Sequence, residues 1–216
     1  MPKNNNRQHK SSKVSGRSNG NDLHGNAPER SAVALLIIDI LNDLDFPRNE
    51  ELLRKSEALA KRIASLKQRC KDTGIPTIYI NDNRGKWRSD FSEVLRQCLR
   101  PDSPGRAMVA RLIPRTEDYI VLKPKHSAFY ATPLDVLLEY IGVKAVIVAG
   151  ITTNACVMIT ASDIYVRDFR LFVPCDCVAA LSEKEQRNAL ALMKANFGAD
   201  TRPSTKLRIN NLVKDS

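Results

Sequence analysis

Short apolar runs alternate along the chain with longer segments whose apolar residues recur at the period of an α-helix. Uniformly apolar runs rich in β-branched residues are typical of strands that are covered on both faces of a sheet. This pattern predicts five strands, at residues 32–38, 76–80, 119–122, 145–149 and 170–173. The end of the chain adds a sixth expected strand near Thr201.

Helical patterns fill the intervals between the predicted strands. The first carries its leucines along one face and is followed by Gly74, which suits the position just after a helix. The last long one begins at Ser182, has Glu185 at the capping-box position and extends to Gly198. The predicted helices cover residues 51–72, 90–99, 133–140, 155–161 and 182–197, with a turn-rich stretch at 101–105 and a terminal helix after Ser204.

The alternation of strands and helices predicts the fold class. Strands that alternate with helices pair in parallel, because each helix returns the chain to the same end of the sheet. We therefore expect an α/β fold, a three-layer α/β/α sandwich with a mostly parallel six-stranded sheet of the Rossmann-like kind. This domain is expected to span residues 31–216, and a hydrophobic fraction of 43% is enough for a sizeable core.

The first 30 residues differ from the rest of the chain. They are rich in Asn, Ser, Lys and Gly and carry a net charge of +4, out of +10 for the whole chain. With few large apolar residues, residues 1–30 are expected to form a disordered basic leader. A basic tail can contact nucleic acid or anionic lipid, but no binding module or interleaved aromatic residue accompanies it, which favours a solvated leader and no nucleic-acid partner.

Cysteine usage indicates the compartment. The five cysteines cannot all pair within one chain, no CxxC occurs, and no apolar secretory segment precedes residue 31. These features favour the reducing cytoplasm. No apolar run approaches the length of a membrane span, so no membrane partner is expected.

Cys156 stands where a buried strand turns directly into a helix. Gly150 ends the apolar run, and Thr152, Thr153 and Asn154 offer N-cap side chains for the helix that follows. Ligands of α/β proteins bind at this edge of the sheet, and a helix N-terminus lowers the pKa of a thiol. The sequence therefore makes Cys156 a candidate nucleophile, although a buried structural cysteine fits the same pattern.

Two other predicted strand ends carry chemically useful groups, Asp39 and Lys123. Parallel strands bring their carboxyl ends to one edge, so both groups can meet Cys156 there. A carboxylate near an ammonium is a suitable base for a thiol, and the ammonium is expected to keep Asp39 ionised. His126 follows Lys123 in the same loop; we expect it to face solvent or substrate, with a role as base as the alternative. Candidate walls of a substrate pocket are Phe46, Trp87, Phe129 and Tyr130, and Trp87 equally suits an ordinary packing role.

Three segments together resemble the isochorismatase-like cysteine hydrolases, a group that includes nicotinamidases and several amidases. They are LLIIDILND around Asp39, KPKHSAF from Lys123 and GITTNACV from Gly150, and the similarity covers roughly residues 31 to 203. The resemblance implies Asp39 as base, Lys123 as the third member of the triad and Cys156 as nucleophile. It also implies a cis peptide between Ile151 and Thr152, which directs the Thr152 and Cys156 N–H groups into an oxyanion hole.

Two features separate this sequence from other branches of that family. Nicotinamidases hold a metal through an Asp-x-His pair after the second strand, whereas Asp82 is followed here by Asn83 and Arg84. True isochorismatases do not need the nucleophile, whereas Cys156 is present. The resemblance thus implies a cysteine hydrolase that cleaves a C–N bond of a small amide, carbamoyl or lactam-like compound through a thioester, without a metal or other cofactor.

Other functions remain open from the sequence alone. One alternative is a binding or scaffold protein on the same fold, and another is a nicotinamidase-type enzyme with an atypical metal site. The expected partner is a small-molecule substrate. Members of the family often form dimers or tetramers, so a homo-oligomer is a further expectation.

Overall fold

The structure of the protein is a computed structural model that describes residues 30–83 and 90–214. The basic leader expected at residues 1–30 therefore lies outside the described residues, apart from Arg30. Trp87 also lies outside them.

Six strands form one sheet, and all of their pairings are parallel. They are β1 (Val33–Ile38), β2 (Thr77–Asp82), β3 (Tyr119–Lys123), β4 (Ala145–Ile151), β5 (Arg170–Phe172) and β6 (Val178–Ala179). The order across the sheet is β3-β2-β1-β4-β5. Strand β6 pairs with the carboxyl-terminal end of β4, at Gly150 and Ile151. β1 and β4 are buried along their whole length, as their apolar sequences predict.

Helices cover both faces of the sheet. One face packs on α1 (Glu50–Asp72), α2 (Phe91–Cys98) and α3 (Arg106–Arg111), and the other on α4 (Leu134–Ile141), α5 (Met158–Tyr165) and α6 (Glu183–Phe197). A π-helical turn, Thr153–Val157, precedes α5, and a 3-10 turn, Ser204–Lys206, precedes α7 (Ile209–Lys214). The three-layer α/β/α sandwich is confirmed. Among the described helices, none is both long and apolar enough to cross a membrane.

The sixth strand is not where the sequence placed it. Near Thr201 the structure has only an isolated bridge between Phe172 and Asp200, and the sixth strand is β6. The cause lies at Pro174, which has no N–H to donate to a ladder, so the chain leaves the sheet in a turn there. The N–H of Cys177 closes that turn on the Pro174 carbonyl at 2.9 Å, and the chain then pairs again beside Gly150.

Two further boundaries differ from the prediction. Helix α3 follows directly on the Pro- and Gly-rich stretch at 101–105, and its six residues are too few to show a clear period. Strand β2 extends two residues further, through Asn81 and Asp82, because these polar residues pair with Leu122 and Lys123 of β3. This extension brings Asp82 to the edge at which the candidate site lies.

Candidate active site

The carboxyl edge of the sheet brings together the three side chains that the sequence singled out. Asp39 follows β1, Lys123 ends β3, and Cys156 lies in the π-helical turn after β4. The Lys123 Nζ lies 2.8 Å from Asp39 Oδ2 and 3.6 Å from the Cys156 Sγ. The Asp39 carboxyl also acts on the Cys156 thiol and raises its pKa. The ammonium therefore contacts both the carboxyl and the thiol.

The ion pair of this trio is buried. Lys123 is fully buried and Asp39 is 5% exposed. The Lys123 Nζ also donates to the Lys125 carbonyl at 3.1 Å, and the Asp82 N–H donates to Asp39 Oδ1 at 2.7 Å. Both charges are thus held by specific partners, as a buried ion pair requires.

Burial and the neighbouring charges shift the pKa values of both members of the pair. It raises the pKa of Asp39 above its ordinary value of 3.8, and it does so although the Lys123 charge and hydrogen bonds from Cys156, Lys123 and Asp82 favour the carboxylate. Burial alone would lower the pKa of Lys123, but the charges of Asp39 and Cys156 outweigh it and raise that pKa. Lys123 lowers the Asp39 pKa, but burial outweighs this effect, so the net shift is upward.

The pKa of the Cys156 thiol also differs from the expectation. Burial, followed by the nearby Asp39 charge, raises its pKa to about 12. The helix start does not offset this, because the Ala155 and Val157 N–H groups donate to the Thr152 carbonyl at 3.1 and 3.2 Å. The thiol is therefore protonated at neutral pH and needs a base before it can attack.

The Ile151–Thr152 peptide is cis, as the family resemblance predicted. It lies directly after Gly150, whose φ of 125° and lack of a side chain let β4 approach β1 closely. A Cβ at Gly150 would lie 2.0 Å from the Ile38 carbonyl oxygen. Ile151 and Thr152 both line the cavity beside the thiol.

A cavity of about 420 Å³ opens over the trio. Among the described residues, its lining comprises Asp39, Asn42, Asp43, Asp45, Phe46, Asn81, Asp82, His126, Ile151, Thr152, Ala155 and Cys156. Its size suits a small molecule rather than a polymer.

Only part of the predicted substrate pocket is found on this cavity. Phe46 lines it and is half-buried. Phe129 instead lies in the core, 6% exposed, with the Arg167 guanidinium 4.3 Å from its ring centre. It turns inward because the loop after β3 folds onto α5. Tyr130 is 61% exposed and does not line the cavity, and Trp87 lies outside the described residues.

His126 contacts the candidate nucleophile directly. Its Nδ1 lies 3.4 Å from the Cys156 Sγ, and its side chain is exposed on the cavity wall. The sequence favoured a place for His126 towards solvent or substrate and kept a role as base as the alternative; the structure shows both an exposed ring and contact with the thiol.

Other residues that the sequence did not single out hold the loop that carries Asp39. Asn81 accepts from the Leu41 N–H at 3.1 Å and donates to the Leu41 carbonyl at 2.8 Å, as a neighbouring strand would. The Gly105 N–H donates to the Asp43 carbonyl at 2.7 Å, and a Cβ at Gly105 would lie 2.1 Å from the Asn42 carbonyl oxygen. A polar residue directly after an apolar strand was a usable signal for Asn81; Gly105 had none.

The donor set does not fit the metal site of the nicotinamidase branch. Asp82 keeps the position of the aspartate, but residue 84 is Arg, and the Asp82 Oδ2 lies 3.8 Å from the Lys123 Nζ. Within residues 30–83 and 90–214, no group of three or more His, Cys, Asp or Glu side chains could hold a metal ion.

The fold and the Asp39, Lys123 and Cys156 arrangement define a class, the α/β/α sandwich proteins with a cysteine, a carboxyl and an ammonium at the carboxyl edge of a parallel sheet. The family model for the Isochorismatase domain matches residues 33–202. The chain belongs to the isochorismatase family, and it is a hydrolase of that family.

Three similar proteins illustrate the range of that family. The uncharacterized isochorismatase family protein YaaI of Bacillus subtilis is 38% identical over 161 residues, 74% of this chain and 88% of that protein. Ureidoacrylate amidohydrolase RutB of Methylobacterium radiotolerans is 37% identical over 107 residues, which cover 49% of this chain and 42% of that enzyme. The crystal structure of N-carbamoylsarcosine amidase from Thermoplasma acidophilum superposes with a TM-score of 0.64 at 24% identity, over 82% of this chain and 98% of that one.

Proposed function

We propose that the protein is a metal-independent cysteine hydrolase that cleaves the C–N bond of a small amide, carbamoyl or lactam-like compound. The observation that carries this proposal is the contact of Lys123 Nζ with both Asp39 and the Cys156 Sγ, beneath a cavity of small-molecule size. A binding or scaffold protein has no need of a buried carboxyl and ammonium beside a thiol.

The first half of the proposed reaction forms a thioester. The Asp39 carboxylate takes the proton of the Cys156 thiol while the sulfur attacks the substrate carbonyl carbon, so no free thiolate has to form at neutral pH. The raised pKa of Asp39 makes it a stronger base than an ordinary aspartate. Asp39 then gives this proton to the departing nitrogen as the C–N bond breaks.

Charge develops on the carbonyl oxygen during this attack. The proposed oxyanion hole consists of the Thr152 and Cys156 N–H groups, and the Lys123 charge adds to the stabilisation. Hydrolysis of the thioester by water then releases the acid and restores the thiol. None of these steps draws on a metal.

The similar proteins agree with this class of reaction without fixing the substrate. RutB is named for its action on ureidoacrylate and the Thermoplasma enzyme for N-carbamoylsarcosine, and in both the group is an amide of carbamic acid. A small carbamoyl or amide compound is therefore the first class of substrate to assay. A nicotinamidase-type reaction with an atypical metal site is the alternative, and the donor set around Asp82 does not favour it.

The experiment that tests the proposal is ammonia release from a panel of small primary amides and carbamoyl compounds. The panel is run with the wild type, Cys156→Ala and Asp39→Asn, and folding is checked by circular dichroism. We expect turnover by the wild type, none by Cys156→Ala, and a loss of about 100-fold or more in Asp39→Asn. Near wild-type release by either folded variant would refute the mechanism.

A further inference from the structure

The Cys156 sulfur lies beside buried charged groups and beside one exposed ring. Lys123 is fully buried and Asp39 nearly so, whereas the His126 ring, 3.4 Å from the sulfur through Nδ1, is exposed. The cavity is lined by both Cys156 and His126. A water molecule in the cavity therefore reaches the imidazole at the place where a thioester on Cys156 would be attacked.

The loop that carries His126 is held in place through the residues that follow it. The Ser127 hydroxyl donates to Asp163, and the Ala128 N–H donates to the Thr160 hydroxyl at 3.1 Å. Asp163 and Thr160 both belong to α5, the helix that follows Cys156 directly. The loop that carries His126 is thus fixed to α5, which continues from the π-helical turn that carries the sulfur, so the fold itself brings the loop to Cys156.

Thioester hydrolysis needs a base for water and an acid for the sulfur. A thiol whose pKa is raised to about 12 is a poor leaving group as a thiolate, so it must regain a proton as the C–S bond breaks. Asp39 lines the same cavity, but its Oδ1 accepts from the Asp82 N–H, its Oδ2 contacts Lys123 and 5% of the residue is exposed, so the exposed His126 ring is the more accessible base for water.

We infer that His126 is the catalytic acid–base group of the second half-reaction. Nδ1 of its imidazole takes a proton from the attacking water as the water oxygen bonds to the thioester carbonyl carbon. When the tetrahedral intermediate collapses, the C–S bond breaks and the same proton passes from Nδ1 to the Cys156 sulfur. The acid product leaves, and both side chains return to their starting states. This inference rests on the proposed thioester route.

The test separates acylation from deacylation with p-nitrophenyl acetate, whose leaving group needs no proton. Wild type, His126→Ala and His126→Gln are acetylated, and the burst of p-nitrophenolate measures acylation. After removal of excess ester, loss of the acetyl group from the protein is followed by mass spectrometry. We expect acylation within about threefold of the wild type in both variants. We expect deacetylation to be slower by about 100-fold, the lower range for general acid–base catalysis.

Two controls identify the role of the ring. Added imidazole is expected to accelerate deacetylation of the folded His126→Ala variant more than that of the same acetylated protein unfolded in urea, which measures the direct reaction of imidazole with the thioester. His126→Gln keeps a hydrogen-bonding side chain and cannot accept the proton, so it should deacetylate as slowly as His126→Ala. The Cys156→Ala variant measures the background acetylation of the other thiols.

The outcomes are distinguishable. Unchanged deacetylation in both His126 variants, or an equal loss in acylation and deacetylation, would overturn the assignment of His126 to the second half-reaction. Wild-type protein that shows no acetyl adduct on Cys156 would contradict the proposed function itself. Slow deacetylation that imidazole restores supports the inference.

Discussion

The Lys123 ammonium lies 2.8 Å from the Asp39 carboxylate, with only 0% and 8% of the two side chains exposed. This pair joins the ends of β1 and β3, which β2 separates in the sheet. Since two buried charges stabilise one another only while both are present, the pair links the geometry of the site to the stability of the fold.

Removal of one partner of this pair should therefore destabilise the protein. Lys123→Met leaves Asp39 buried without its cation, and we expect a loss of about 3–5 kcal/mol in the free energy of unfolding at pH 7.5. The folded-state pKa of Asp39 should rise further. The folded state then binds more protons than the unfolded state between the two pKa values, so the loss should shrink as the pH falls towards 5. Urea unfolding at both pH values, each against the wild type, measures this.

The matched control is the double variant Asp39→Asn/Lys123→Met, in which no unpaired charge remains. It should be more stable than Lys123→Met at pH 7.5 and should lose the pH dependence. Equal stability of the single and double variants at pH 7.5 would show that the buried carboxylate is not the cause.

Alkylation of Cys156 by iodoacetamide should report its raised pKa. Because the thiolate is the reactive form and the pKa is about 12, the rate should keep rising from pH 7 to pH 10 without a plateau. Cys70 has the same raised pKa of about 12 but is fully buried, so peptide mapping should find the label on Cys156 before Cys70. A plateau in the rate near neutral pH would mean that the thiolate is already formed in the resting enzyme.

Gly105 should be required for activity for steric reasons. Its φ lies in the ordinary region, but an added Cβ would lie 2.1 Å from the Asn42 carbonyl oxygen, in the loop that carries Asp39. We expect Gly105→Ala to lower turnover at least tenfold and to lower the melting temperature as well. In the control Gly74→Ala, no atom lies within 4 Å and the cost is the positive φ of 72°, so only stability should fall. Equal turnover in the two variants would contradict the role of the contact.

Much of the fold could be predicted because its signals are local. The apolar runs of β1 and β4 and the caps of α6 are visible in the sequence, and the structure has Ser182 accepting from the Glu185 N–H. What the sequence did not show depends on long-range contacts. Asn81 and Gly105 hold the Asp39 loop from segments about 40 and 60 residues away, a separation at which periodicity carries no information.

The sequence likewise predicted one part of the site correctly and another part wrongly. The sequence placed Asp39, Lys123 and Cys156 at one edge of the sheet, because parallel strands end together. The direction of the thiol pKa was wrong, since burial and the Asp39 charge are properties of the assembled site. The inward turn of Phe129 likewise depends on the packing of its loop against α5, which no local pattern encodes.

Activity should not depend on a divalent metal. The position two residues after Asp82 is Arg84 rather than His, and the Asp82 carboxylate lies 3.8 Å from the Lys123 ammonium, which disfavours a cation there. We expect unchanged turnover after exhaustive chelation and dialysis, and no stoichiometric zinc or iron by elemental analysis. Activity lost on chelation and restored by one added metal would move the protein towards the nicotinamidase-type alternative.

The covalent intermediate offers the most direct test of the proposed mechanism. A reaction with the best substrate of the amide and carbamoyl panel is quenched in acid during turnover, and the peptide that contains Cys156 is analysed by mass spectrometry. The account predicts the acyl group of the substrate on Cys156, released by hydroxylamine, and no adduct or turnover in Cys156→Ala. Turnover without an adduct on Cys156, undiminished in Cys156→Ala, would contradict it.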